Sequence, residues 1–131
     1  MRIILTILLL TNLLYPQSFG QNKVQYESFD WEYIVSPNTN IYYYGDNKDL
    51  AIFTSKVAER SIEQIGKHLR WRSNKPIKII VYTSHNDFQQ TNVVNVYMSE
   101  GVGGVTELYK NRIVIPFEGS YEQFEHVIHH E

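Results

Sequence analysis

Residues 111–131 read NRIVIPFEGSYEQFEHVIHHE. The stretch passes from strand to capped helix within a few residues. Arg112 to Ile115 is apolar and β-branched after its first residue, as a buried strand requires. Pro116-Phe117-Glu118-Gly119 closes that strand, because Pro cannot donate to a ladder and Gly accepts turn geometry. Ser120-Tyr121-Glu122-Gln123 has the form of a capping box. The Ser hydroxyl and the Gln side chain can satisfy orphan amides of a first helical turn. Phe124, Val127 and Ile128, with Tyr121 in part, then form the apolar face of a helix over 121–131. On the N-terminal side, Val105 to Leu108 and Arg112 to Ile115 flank Tyr109-Lys110-Asn111, a hairpin signal.

Further back, the chain alternates strands with one long helix. Phe29 to Ser36 reads as a strand in which Trp31, Tyr33 and Val35 alternate with Asp30, Glu32 and Ile34. Pro37 to Asn40 is a turn, and Ile41 to Tyr44 a second strand with Tyr43 opposite its neighbours. Gly45-Asp46-Asn47 ends it and offers a helix N-cap. Leu50, Phe53, Val57, Ile62, Ile65 and Leu69 then form one apolar stripe opposite Lys56, Glu59, Glu63 and Lys67. That spacing predicts a helix over 48–71 whose whole stripe is buried. Ile77 to Tyr82 is a strand apolar enough to be central, and Ser84 can cap a short helix through Gln89. Residues 91–104 show no period, and Gly101-Val102-Gly103-Gly104 reads as a mobile or tightly turned loop. The expected fold is α+β: a mixed sheet crossed by one long helix.

Composition narrows the function classes. A formal net charge of -2 gives no basic surplus for nucleic acid. Cys is absent, so neither disulfides nor thiolate metal sites are available. The chain opens with Met1-Arg2, runs apolar from Ile3 to Leu14 and reaches Pro16 and Ser18-Phe19-Gly20. That is the pattern of a cleaved leader over 1–20. Residues 21–28 are polar and read as a flexible lead-in, leaving one domain over 29–131. The expected location is outside the cytoplasm: periplasm, outer envelope or medium.

The last helix carries the chemistry. His130-Glu131 is the opening of an H-E-x-x-H pattern, in which two His one turn apart bind zinc and the Glu activates water. Residues 121–131 hold no Gly, Asn or Pro to stop a helix. The helix is therefore expected to continue beyond Glu131 in a longer protein. His126 lies four residues before His130 and His129 three after His126. Consecutive residues diverge by about 100° around the axis, so His129 and His130 do not readily face one ion. Other constellations are weaker. Ser84, His85 and Asp87 lie on one local element, where capping is the plainer role. Gly101 to Gly104 lacks the G-K-[ST] ending of a phosphate loop.

The segment Asn111 to Glu131, with Phe29-Asp30-Trp31, Asn40 to Tyr44, the helix at 48–71 and the strand Ile77 to Tyr82, resembles the gluzincin-type, MA-like zinc metallopeptidases of large exported bacterial proteins. Many of these continue into a TolB-like β-propeller. The resemblance implies the N-terminal part of such a peptidase, ending in an incomplete active-site helix. It makes His130 the first zinc ligand and Glu131 the general base. It implies a peptide or protein substrate aligned on the hairpin arm Gly103, Gly104, Val105, Thr106 and Glu107. A second His three residues past Glu131 and a later Glu ligand would complete the zinc site, so these 131 residues are expected to bind zinc weakly and to be inactive alone. The rival expectation is a non-catalytic α+β domain of the envelope that binds a peptide or protein partner.

The leader generates the first prediction. Mass spectrometry of the exported product should find a mature start near Gln21. A membrane-bound form that retains Met1 to Gly20 would instead make the apolar run an anchor.

Overall fold

The computed structural model describes residues 25–93, 98–99 and 101–131. The leader over 1–20 and the first part of the lead-in lie outside them. Five strands form one mixed sheet: β1 (Trp31–Val35), β2 (Thr39–Tyr44), β3 (Ile77–Tyr82), β4 (Val105–Glu107) and β5 (Arg112–Pro116). Three helices accompany them: α1 (Lys48–Leu69), α2 (His85–Gln89) and α3 (Tyr121–His130). The spatial order is β1-β2-β3-β5-β4. The three inner strands are parallel to one another, and each outer strand is antiparallel to its neighbour. This is the expected α+β architecture.

The register aligns one side chain per strand on the helix-bearing face. Ile34 pairs with Ile41, Ile41 with Ile79, Ile79 with Ile113, and Ile113 with Thr106. Branched residues suit this pleated, buried surface. Tyr43, Val81 and Ile115 extend the same face, which packs against Leu50, Val57, Phe124 and Ile128 of the helices. Ala51 and Ala58 of α1 are buried in the same core, and their small side chains let the helix approach the sheet. Thr54 is fully buried, and its hydroxyl is satisfied by the Leu50 carbonyl at 2.8 Å. Tyr82, Phe88, Met98 and Val114 form a smaller core on the opposite face. With both faces covered, β3 and β5 read as near-continuous apolar runs.

Several expectations need correction. On β1 the alternation left the covered side open: Tyr33 and Val35 are exposed and Ile34 packs on the core. As an edge strand, β1 has less to cover its second face. Asn47 sits at the N-cap of α1 but makes no side-chain cap; its Nδ2 donates to the Tyr44 carbonyl at 2.8 Å. α1 ends at Leu69 rather than Trp71, because Arg70 turns left-handed at φ 51° and the Trp71 amide returns to the Gly66 carbonyl. The stripe on α1 is buried only over its first four turns; Ile65 and Leu69 remain exposed. The lead-in is tethered at its end, since the amides of Tyr26 and Glu27 donate to Gln90 Oε1 at 3.0 and 3.1 Å. No helix among the described residues is long and apolar enough to cross a membrane.

One carboxylate of α1 fastens the β1–β2 turn. Glu59 accepts from Ser36 Oγ (2.7 Å), Asn38 N (2.9 Å), Asn38 Nδ2 (2.7 Å) and Thr39 Oγ1 (3.2 Å). Partial burial pushes its pKa up, but the bonds from Asn38, Ser36 and Thr39 together hold it below its ordinary value. A depressed folded-state pKa stabilises the fold above the unfolded value, and that stability is lost as pH falls through the folded one. Glu59→Gln should therefore destabilise the protein by about 1–2 kcal/mol at neutral pH. The deficit in urea unfolding should shrink as pH falls below the ordinary carboxylate range, where the wild-type carboxylate also protonates. A deficit constant with pH would separate the turn from the ionisation of Glu59.

Candidate functional site

The site is set by where α3 lies. Gly119, at φ +92°, turns the chain out of β5, and the Ser120 hydroxyl accepts from the Gln123 amide at 3.3 Å. Phe117 packs on Tyr121 and Phe124, with ring centroids 4.9 and 5.3 Å away, and Phe53 of α1 meets Tyr121 at 4.7 Å. Further along, Arg60 pairs with Glu125, and His129 Nδ1 lies 3.1 Å from Ser61 Oγ. α3 thus runs parallel to α1 and carries its C-terminal end toward β4.

At that end the Thr106 hydroxyl donates to the Glu131 carboxylate at 2.5 Å, and it also lies 3.3 Å from the Glu131 carbonyl. Thr106 stands on the helix-bearing face because it pairs with Ile113. The two preceding glycines make the approach possible. A Cβ at Gly104 would lie 2.8 Å from Ile115 Cγ2 and 3.1 Å from both Glu131 Cγ and Oε1. One at Gly103 would lie 3.2 Å from Val127 Cγ2. The sequence of Gly101 to Gly104 alone reads as a mobile or tightly turned loop. Gly103 and Gly104 instead lie against the helix, and neither has a positive φ. Their role is to admit a neighbour.

The other candidate residues divide by face. His130 is exposed beside the partly buried Glu131. His126 is exposed as well, and His129 turns toward α1. Val105 packs on the opposite core. Glu107, on that same opposite face, is clamped by Lys110 at 2.9 Å and by Arg112 through both Nε and a terminal nitrogen. The hydrogen bond from Lys110, followed by the Arg112 contacts, lowers its pKa. Glu107 is thus a pinned anion that stiffens the hairpin, turned away from Glu131. Ser84, His85 and Asp87 do not converge. Ser84 Oγ caps the Asp87 amide at 3.1 Å, Asp87 accepts from Tyr44 Oη at 2.6 Å, and His85 Nδ1 faces Glu118 at 3.2 Å. Burial, then the Asp87 bond, raises the Tyr44 hydroxyl to about 12.

The zinc expectation can be tested against the donors present. Among the described residues no three His, Cys, Asp or Glu side chains come together as a metal-holding group, and a zinc site takes at least three protein ligands. His130 supplies one donor, so the residues present do not by themselves fit the metal. The Thr106–Glu131 contact was missed in the sequence because the partners are 25 residues apart. The paired glycines before a short strand were its one trace. Comparison of the chain with models of known families, with curated proteins and with solved structures found no match.

The close approach at Gly104 predicts a sharp contrast between glycines. Gly104→Ala forces a shift of Ile115 or Glu131 and should cost about 1–3 kcal/mol. Gly101→Ala, with nothing within 4 Å of the added carbon, should stay within about 0.5 kcal/mol. Chemical denaturation of the two variants measures the difference. Equal costs would mean that β4 does not rest on α3 in solution.

Proposed function

We propose that this chain is the N-terminal part of an exported, gluzincin-type zinc metallopeptidase, and that its own contribution is to align a peptide beside Glu131. One observation carries the reading. An antiparallel edge strand, β4, lies against the helix end that bears His130-Glu131, with Thr106 bonded to the Glu131 carboxylate. β4 ends the strand order, so among the described residues its outer backbone groups have no ladder partner. An edge of that kind can take an extended peptide as an added strand, binding main chain with little demand on sequence. Gly103, Gly104, Val105, Thr106 and Glu107 would form the platform. Glu131 would take the proton of the water that attacks the peptide carbonyl. In the intact protein His130 would be a zinc ligand. The donors present do not complete that site. The 131 residues alone should be inactive.

The Thr106–Glu131 bond also favours a second reading. A carboxylate already accepting from a hydroxyl is less free to act as a base, and the same strand could capture a peptide without cleaving it. Both readings place the peptide on β4.

The test uses a fluorescein-labelled, extended Ala/Val-rich decapeptide. Weak binding should perturb the backbone amides of residues 103–107 in NMR spectra, and Thr106→Pro should remove it by interrupting the strand. Perturbation elsewhere, with 103–107 unmoved, sinks both readings. Calorimetry with zinc at neutral pH should find no site tighter than about 1 μM. A tighter site lost in His130→Ala would show that ligands within these residues had been overlooked, and would return the chain to catalysis in its own right.

A further inference from the structure

Charge is unevenly distributed along this chain. From Gln64 to Asn86 stand Lys67, Arg70, Arg72, Lys75 and Lys78, with no Asp or Glu among them. That stretch takes five of the twelve Lys and Arg, leaving seven against the fourteen Asp and Glu of the rest. An acidic protein thus carries one cationic segment, most of it at the C-terminal end of α1. Lys67, Arg70 and Arg72 line one open hollow with Trp71. Lys75 follows in a turn where Ser73 Oγ donates to its carbonyl at 2.6 Å. Glu63 is the single carboxylate lining the hollow, and it pairs with Lys67 at 2.6 Å. Among the described residues no ion pair holds Arg70, Arg72 or Lys75.

The backbone turns this knuckle outward. Arg70 is left-handed at φ 51°, and the Trp71 amide returns to the Gly66 carbonyl at 3.0 Å. Gly66 admits the fold-back, since a Cβ there would lie 2.9 Å from the Trp71 carbonyl oxygen. Every residue from Lys67 to Arg72 is exposed, Leu69 by 68 % and Trp71 by 53 %. The α1 macrodipole accounts for a cation such as Lys67 in the last turn. It does not account for Arg70 where glycine is favoured, for the cations beyond the helix, or for the bare Leu and Trp. Trp suits the boundary between an apolar medium and water, and clustered Lys and Arg are drawn to anionic headgroups. A protein interface takes about 800 Å² from each partner, whereas a bilayer surface can be held by a few side chains at headgroup depth. We infer that the knuckle docks the protein on an anionic lipid bilayer. Leu69 and Trp71 enter at headgroup depth, and Arg70, Arg72 and Lys75 meet the phosphates. The inference is independent of the peptidase reading and of peptide or zinc binding.

The mature chain from Gln21 is mixed with vesicles of phosphatidylcholine, alone or with about one-third phosphatidylglycerol. It should sediment with the anionic vesicles and not with the neutral ones at physiological salt, and roughly 0.5 M salt should release it. Brominated lipid should quench the tryptophan fluorescence of the bound protein. Trp71→Ala should remove that quenching, although Trp31 remains. Arg70→Gly combined with Arg72→Gln should weaken binding about tenfold or more. Glycine suits the left-handed turn, so this variant should melt no lower than the wild type, which separates lost binding from unfolding. Undiminished binding of the variant, equal binding to both vesicle types, or binding that leaves Trp71 unquenched would each overturn the proposal. Failure to sediment with either vesicle would overturn it too, and Arg-dependent binding of a polyglutamate peptide in its place would give the knuckle to an acidic protein.

Discussion

One row of side chains governs this molecule: Ile34, Ile41, Ile79 and Ile113, side by side across four strands and ending in Thr106 on the fifth. Four adjacent isoleucines make an apolar ridge, and fully burying each is worth about 1.5–3 kcal/mol. The helices have little choice of seat. α1 spans the ridge with Ala51 and Ala58 packed in the shared core, and α3 settles beside it through Phe124 and Ile128. The ridge then changes chemistry at its end. Where a fifth isoleucine would continue the apolar surface, Thr106 offers a hydroxyl, and Glu131 meets it. The position of the acidic group follows from the register of the whole sheet.

Much of this was legible in the residues. The period of α1, the branched run Ile77 to Tyr82, the hairpin around Lys110 and the Ser120 cap are local signals, and each element stands where its signal placed it. Apart from the two ends of α1, the failures are questions of neighbours. Alternation along β1 is clear, but alternation does not say which side is covered, and the covered residue is Ile34. The stripe on α1 is real over its whole length, yet burial needs a partner helix, and α3 accompanies only its first part. Glycine is ambiguous by nature: it signals either an unusual dihedral or a close approach. At Gly104 it is the second, and only coordinates distinguish the two. Of the candidate site residues, His130 and Glu131 are singled out by motif and resemblance. Thr106 fell within the hairpin segment, but its bond to Glu131 had no sequence signature.

The two faces of β4 stand in different surroundings. Successive side chains of a strand point to opposite faces. Val105 and Glu107 face the second core and the Arg112–Lys110 clamp, which hold the strand in place. Gly104 and Thr106 face α3, and they are small. A peptide added outside β4 would lie about 4.8 Å further out in the plane of the sheet. Its alternate side chains would then fall on the α3 side, near the exposed His130 and the carboxylate of Glu131. Large residues at 104 or 106 would push the helix end away and carry that carboxylate with it. The division of labour is therefore physical: bulk and charge on one face fix the strand, and small side chains on the other keep the acidic group close to its edge.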